Sequence, residues 1–133
     1  MGQVDKDEEA LASMAAGDLD APVVMLNLLK YREVAAAGAG VDGKTGREAY
    51  EVYGQAFAKL HPRFGGEPIW MGRGLNSIIG DEDWDVVMLV RYPARRQFVD
   101  MMRDPDYLMI APIRAAALED SRLIEMSQLL PKA

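Results

Sequence analysis

The chain contains no cysteine, which removes disulfides, thiolate nucleophiles and cysteine-ligated metals together. It contains one histidine, His61, so a multi-histidine metal site cannot form within a single chain. Basic charge is in the minority: 15 Lys and Arg stand against 21 Asp and Glu, a net charge of -6. A phosphate backbone would be repelled on average, so nucleic acid is not an expected partner. No apolar run reaches the roughly 18 to 20 residues of a membrane span. The opening MGQVDKDEEALASM carries acids where a secretory leader carries basic charge. A cytoplasmic protein with no membrane partner is expected. No repeat or low-complexity linker is visible, and 133 residues suit one domain.

What is present is a composition that folds: 50% of the residues are apolar and 27% charged, outside the disordered range. Residues 5–16 read as a short helix with Ala10, Leu11 and Met14 on one face and Gly17 as its stop. The domain division is therefore an N-terminal helical extension over 1–21 and a single domain over 22–133. Pro22 to Arg32, PVVMLNLLKYR, reads as a strand that is apolar on both faces. Alternation groups Val24, Leu26 and Leu28 apart from Met25, Asn27 and Leu29. Val34 to Gly46 is a loop rich in glycine and alanine.

Thr45 with Glu48 three residues later forms a capping box, and Ala49, Val52, Tyr53, Ala56, Phe57 and Leu60 recur at helical spacing. Pro62 closes that helix, and Gly65-Gly66 turns the chain into a strand from about Glu67 to Ile79. Trp84 to Tyr92 is the next strand, after an acidic turn. A helix follows Pro93, and Asp104-Pro105 starts another that runs to about Ala117. The last strand is Ser121 to Leu129.

The order is strand, helix, strand, strand, helix, strand, the split βαβ plan of α+β ferredoxin-like folds, with an antiparallel sheet and the short N-terminal helix added. Helices cover one sheet face only, so apolar residues on the other need a second cover. A homodimer supplies it. The expected assignment puts Val24, Leu26 and Leu28 toward the helices and Met25 and Leu29 toward the partner sheet. Asn27 then shares the interface face, which conflicts with a place in a pocket under the helices.

The segments PVVMLNLLKYR, EAYEVYGQAF, WDVVMLVRYP and PDYLMIAPIRAAALEDSRLIE, in this order, resemble the family of domain of unknown function 1330 in the dimeric α/β-barrel superfamily. The resemblance covers about Pro22 to Leu129. It implies a ferredoxin-like protomer paired into a barrel-like dimer with a cavity between sheet and helices. Relatives in the superfamily include cofactor-independent monooxygenases, haem-degrading monooxygenases and an isomerase, but a fold does not transmit an activity. No histidine follows His61 in the later helices, where the haem-degrading relatives place their iron ligand. No cofactor is expected.

Six residues are candidates for a site. Asn27 is an amide within an apolar run and must be hydrogen-bonded or face a pocket; in the haem-degrading relatives an asparagine of the first strand orients a ligand. Arg114 lies two helical turns after Tyr107 on an otherwise apolar helix, where it could take a small anion bidentately; the alternative is a salt bridge to Glu125 or Asp120. Tyr50 and Tyr53 could line the same cavity as hydrogen-bond donors or simply pack. Trp70 offers a flat surface to an aromatic ligand or fills core. His61 could exchange protons, yet a helix C-terminus favours a cationic histidine without catalysis. The acids at 81–85 read as a solvated turn rather than a metal loop. The expected function is binding of a small, partly apolar ligand, aromatic or anionic, in each subunit. An enzyme of this kind would be a cofactor-free oxygenase or isomerase using Asn27 and a tyrosine or His61. The alternative is a noncatalytic binding or assembly module with its pocket filled by its own side chains.

Overall fold

The computed structural model describes residues 2–132. Its elements are α1 (Glu8–Ala16), β1 (Val23–Tyr31), α2 (Gly46–Leu60), β2 (Glu67–Arg73), β3 (Val86–Tyr92), α3 (Arg95–Arg103), α4 (Pro105–Ala117) and β4 (Leu118–Met126), with a 3₁₀ turn at His61–Phe64. The strands form one antiparallel sheet in the order β2-β3-β1-β4, the ferredoxin-like arrangement. The sheet is open and is not closed into a barrel.

Local chemistry explains most of the boundaries. The capping box forms at both ends: the Glu48 N–H donates to the Thr45 hydroxyl at 3.1 Å, and the Thr45 N–H to the Glu48 carboxylate at 2.9 Å. Asp104 accepts from the Asp106 N–H, and Pro105 at the first helical position has no N–H that needs a partner. Gly46 has no room for a side chain, because a Cβ there would come within 2.1 Å of the Arg32 carbonyl oxygen. That close approach seats the start of α2 on the end of β1.

Three expectations change. β2 ends at Arg73 rather than Ile79. Its ladder closes with the Gly74 N–H on the Asp85 carbonyl, and Leu75, Ile78 and Ile79 beyond it stand in solvent. β4 begins at Leu118, directly out of α4, and ends at Met126. The faces of β1 are the reverse of those expected. Val23, Met25 and Leu29 pack into the core shared with Phe98, Met101 and Met102 of α3, so the odd-numbered side chains point to the helices and Val24, Leu26 and Leu28 to the open face. Both sets are apolar, and alternation separates two faces without saying which one a helix will cover.

Cross-strand partners share a face, so the register writes out each layer. On the helix side Met71, Met88, Asn27 and Leu123 form one row; on the open side Trp70, Leu89, Leu26 and Ile124 form the next. Asn27 therefore lies under the helices, and the conflict over its face disappears.

Candidate functional site

Residues 2–6 run along β4 and lead into α1, and together they form a strap over the helix layer. The Gln3 N–H donates to the Asp120 carboxylate at 2.9 Å, and the Ser121 hydroxyl donates to the Gln3 carbonyl at 2.7 Å. The Lys6 ammonium donates to the Met102 carbonyl at 3.0 Å. Asp7 caps α1 by accepting from the N–H groups of Glu9 and Ala10, and α1 then lies against α3 with Leu11 and Met14 buried. Between the strap, α3, α4 and the sheet is a cavity of about 670 Å³, within the usual range for small-molecule sites of about 300 to 1,000 Å³.

Arg114, in the last turn of α4, lies on the wall of this cavity. It is 9% exposed. Its Nη1 donates to the Val4 carbonyl at 3.3 Å, while Nη2 is buried without a hydrogen-bond partner among the described residues. Both carboxylates that could have paired with it are engaged elsewhere. Glu125 accepts from Arg95 at 3.0 and 3.1 Å, and Asp120 accepts from Arg122 at 2.6 Å and from the Gln3 and Ser121 N–H groups. No ion pair among the described residues includes Arg114. A buried cation left without a counter-charge costs several kcal/mol in order of magnitude unless something neutralises it.

Tyr50 and Tyr53 gather behind Arg114 rather than on the cavity wall. The Tyr53 and Tyr107 hydroxyls are 3.2 Å apart, with their rings edge to face, and Tyr50 packs on Tyr53 at 5.3 Å. Tyr107 reaches the wall; Tyr50 lines a separate cleft of about 500 Å³ with Tyr31, Arg47 and Arg73. Burial pushes the Tyr50 phenol up to about 12, against the opposing pull of nearby Arg114. Burial also holds Tyr53 well above the ordinary phenol value, helped by its tyrosine neighbours. At neutral pH both are uncharged donors.

The remaining candidates are dispersed. Asn27 is buried between Met88 and Leu123, its Nδ2 reaching the Met25 carbonyl at 3.4 Å; Leu123 is on the cavity wall and Asn27 stands behind it. Trp70 lies on the opposite side of the sheet, 57% exposed, with its ring over Gly72. It does not border the Arg114 cavity, because the irregular pairing between Pro68 and Trp70 places it in the open-face row. His61 caps the end of α2, donates from Nδ1 to the Gly66 carbonyl at 2.8 Å and tilts against Phe57; it lies on neither cavity wall. Of the six candidates, only Arg114 reaches the larger cavity. Val4, Lys6 and Ser121 were absent from the sequence-derived set. The one local signal for them was the apolar pair Leu11 and Met14, which had to pack on something.

Among the described residues no group of three or more His, Asp or Glu side chains is placed to hold a metal ion, and no helix is long and apolar enough to cross a membrane. Residues 43–127 match the family described as domain of unknown function (DUF1330). No curated protein matches the chain. A protein of unknown function from Rhodopseudomonas palustris is similar in structure over 98% of this chain and 100% of its own, with 41% identity and a TM-score of 0.90. A dimeric protein of unknown function and ferredoxin-like fold from Bacteroides fragilis is 14% identical, with a TM-score of 0.55 over 80% of this chain and 96% of its own. A dimeric ferredoxin-like protein of unknown function from Thermobifida fusca is also 14% identical, with a TM-score of 0.51 over 85% of this chain and 96% of its own.

Proposed function

The chain belongs to the family of domain of unknown function 1330, and from that premise we propose that it is a homodimer binding a small, partly apolar organic anion in the Arg114 cavity of each subunit. The single observation that carries the binding function is the unpartnered Nη2 of a buried arginine on a cavity wall. A carboxylate in the cavity would supply the guanidinium's missing counter-charge. The placement of the other candidates favours binding over proton transfer. Burial keeps the phenols of Tyr50 and Tyr53 neutral, and His61 sits off the cavity. Oxygenation or isomerisation using those groups has less support than reversible capture.

The homodimer is supported by the open sheet face. Trp70, Leu89, Leu26 and Ile124 make an apolar row across all four strands, with Trp70 57% and Ile124 46% exposed, and contiguous apolar surface of this kind marks an interaction site. Two of the similar structures are described as dimeric.

Thermal-shift titration with small organic acids and their uncharged amides tests the site. The acids should raise the melting temperature and the amides should not, since ligand at 100 times its dissociation constant stabilises by about 2.7 kcal/mol. Arg114→Met should erase the difference between acid and amide. Equal shifts for acids in the wild type and in Arg114→Met would remove Arg114 from the site and with it the proposal.

A further inference from the structure

We propose that the ligand of the Arg114 cavity is an aliphatic monocarboxylate, held with its carboxylate on Arg114 and its chain in the sleeve beneath the strap. This rests on the assignment of Arg114 as an anion site and goes further by fixing the charge and shape of the ligand.

The charge follows from the wall. Lys6, Arg114 and Arg122 are the basic residues of the wall; Arg122 shares the open face with its strand partner Leu28, and Lys6 is already satisfied. Lys6 donates to the Met102 carbonyl at 3.0 Å and has Glu8 at 3.8 Å, and Arg122 is paired with Asp120 at 2.6 Å. Arg114 is left as the one uncompensated cation of this wall. Asp5 and Asp7 lie on the same wall and are in no ion pair among the described residues, so a second negative charge on the ligand would meet carboxylates without a free cation to offset them. A dicarboxylate or a phosphate dianion fits badly, and one carboxylate fits well.

The shape follows from the helices. Leu108, Ala111 and Arg114 follow one another at intervals of three along α4 and all line the cavity. They run along about 9 Å of helix at 1.5 Å per residue, with the small Ala111 in the middle leaving the passage open. Leu11 and Met14 of α1 face the same space, and Met25, Phe98 and Met102 complete its sides. Unbranched thioether side chains adapt to a flexible chain and do not define a flat slot. Trp70, the residue expected to stack on an aromatic ligand, is on the other side of the sheet. A methionine-lined wall that runs along α4 from Leu108 to Arg114, with the cation at one end, matches an alkyl chain ending in a carboxylate.

Calorimetric titration of the full chain with straight-chain acids from butanoate to dodecanoate, matching alcohols, matching dicarboxylates and a set of benzoates and naphthoates tests this. Affinity for the monoacids should rise about fourfold per methylene until the sleeve is full, with alcohols and dicarboxylates at least about tenfold weaker than the monoacid of equal length, as loss of one charge-assisted hydrogen bond implies. Ala111→Phe should shift the optimum to shorter acids while hexanoate still binds; should that variant not fold, the wild-type chain-length series decides alone. A flat chain-length series, or tighter Arg114-dependent binding of aromatic acids or dicarboxylates, would overturn the monocarboxylate and leave the anion site standing. Absence of Arg114-dependent binding for every acid would overturn both.

Discussion

Arg114 is the residue at which stability and function pull apart. Its Nη2 is buried without a partner, and a buried orphan donor costs about 1–3 kcal/mol. Replacing it with methionine removes that cost and the desolvated charge while keeping much of the packing; it forfeits the Val4 carbonyl bond and the attraction of Arg114 to the Tyr50 phenol. The ligand-free Arg114→Met protein should therefore be more stable than the wild type by about 1 kcal/mol, read as a higher urea midpoint. A lower midpoint would mean that the guanidinium is compensated in place and that its burial needs no ligand. The sequence placed Arg114 on a helix beside Tyr107, and that spacing is local. What it could not supply was the fate of Glu125 and Asp120. Both were plausible partners within reach along the chain, and both are taken by residues from other elements, Arg95 and Gln3.

At the scale of the element, α2 shows what short-range chemistry can decide. Its start is a reciprocal pair of hydrogen bonds between residues three apart, and nothing distant is required to form it. Thr45→Ala should cost about 1 kcal/mol. The Glu48 carboxyl is held below the usual 4.5, first by the Thr45 N–H and then by its hydroxyl. Its folded value is thus lower than its unfolded one, so its contribution is present above pH 4.5 and is lost as pH falls through the folded value. Stability measured by urea unfolding should fall more steeply below pH 4.5 in the wild type than in Glu48→Gln, which keeps an acceptor for the Thr45 N–H but has no carboxyl to protonate. Parallel acid limbs would exclude the capping box as a source of pH dependence. β2 is the contrasting element. Its apolar residues continue to Ile79 in the sequence, yet the pairing ends at Arg73. Strand length depends on a partner's reach, which propensity does not encode.

At the scale of the whole molecule, the row Trp70, Leu89, Leu26 and Ile124 is where the dimer should be broken. Leu26 is central in that row and points away from the helix core, so Leu26→Asp should halve the mass found by light scattering at micromolar concentration while leaving the far-ultraviolet circular dichroism unchanged. A wild-type monomer mass would remove this interface, as would a dimer mass for the variant. The element order, the split βαβ plan, the caps of α2 and α4 and the polar candidate at Arg114 are legible in the residues alone, because each rests on periodicity or on contacts a few residues apart. Which face of β1 meets the helices, the placing of Trp70 and Arg114 on opposite sides of the sheet, and the strap ahead of Pro22 that roofs the cavity come from packing between distant elements. The strap's bonds join Gln3 to Ser121 and Val4 to Arg114, across almost the full length of the chain, and a contact of that range leaves no periodic trace in the residues that make it.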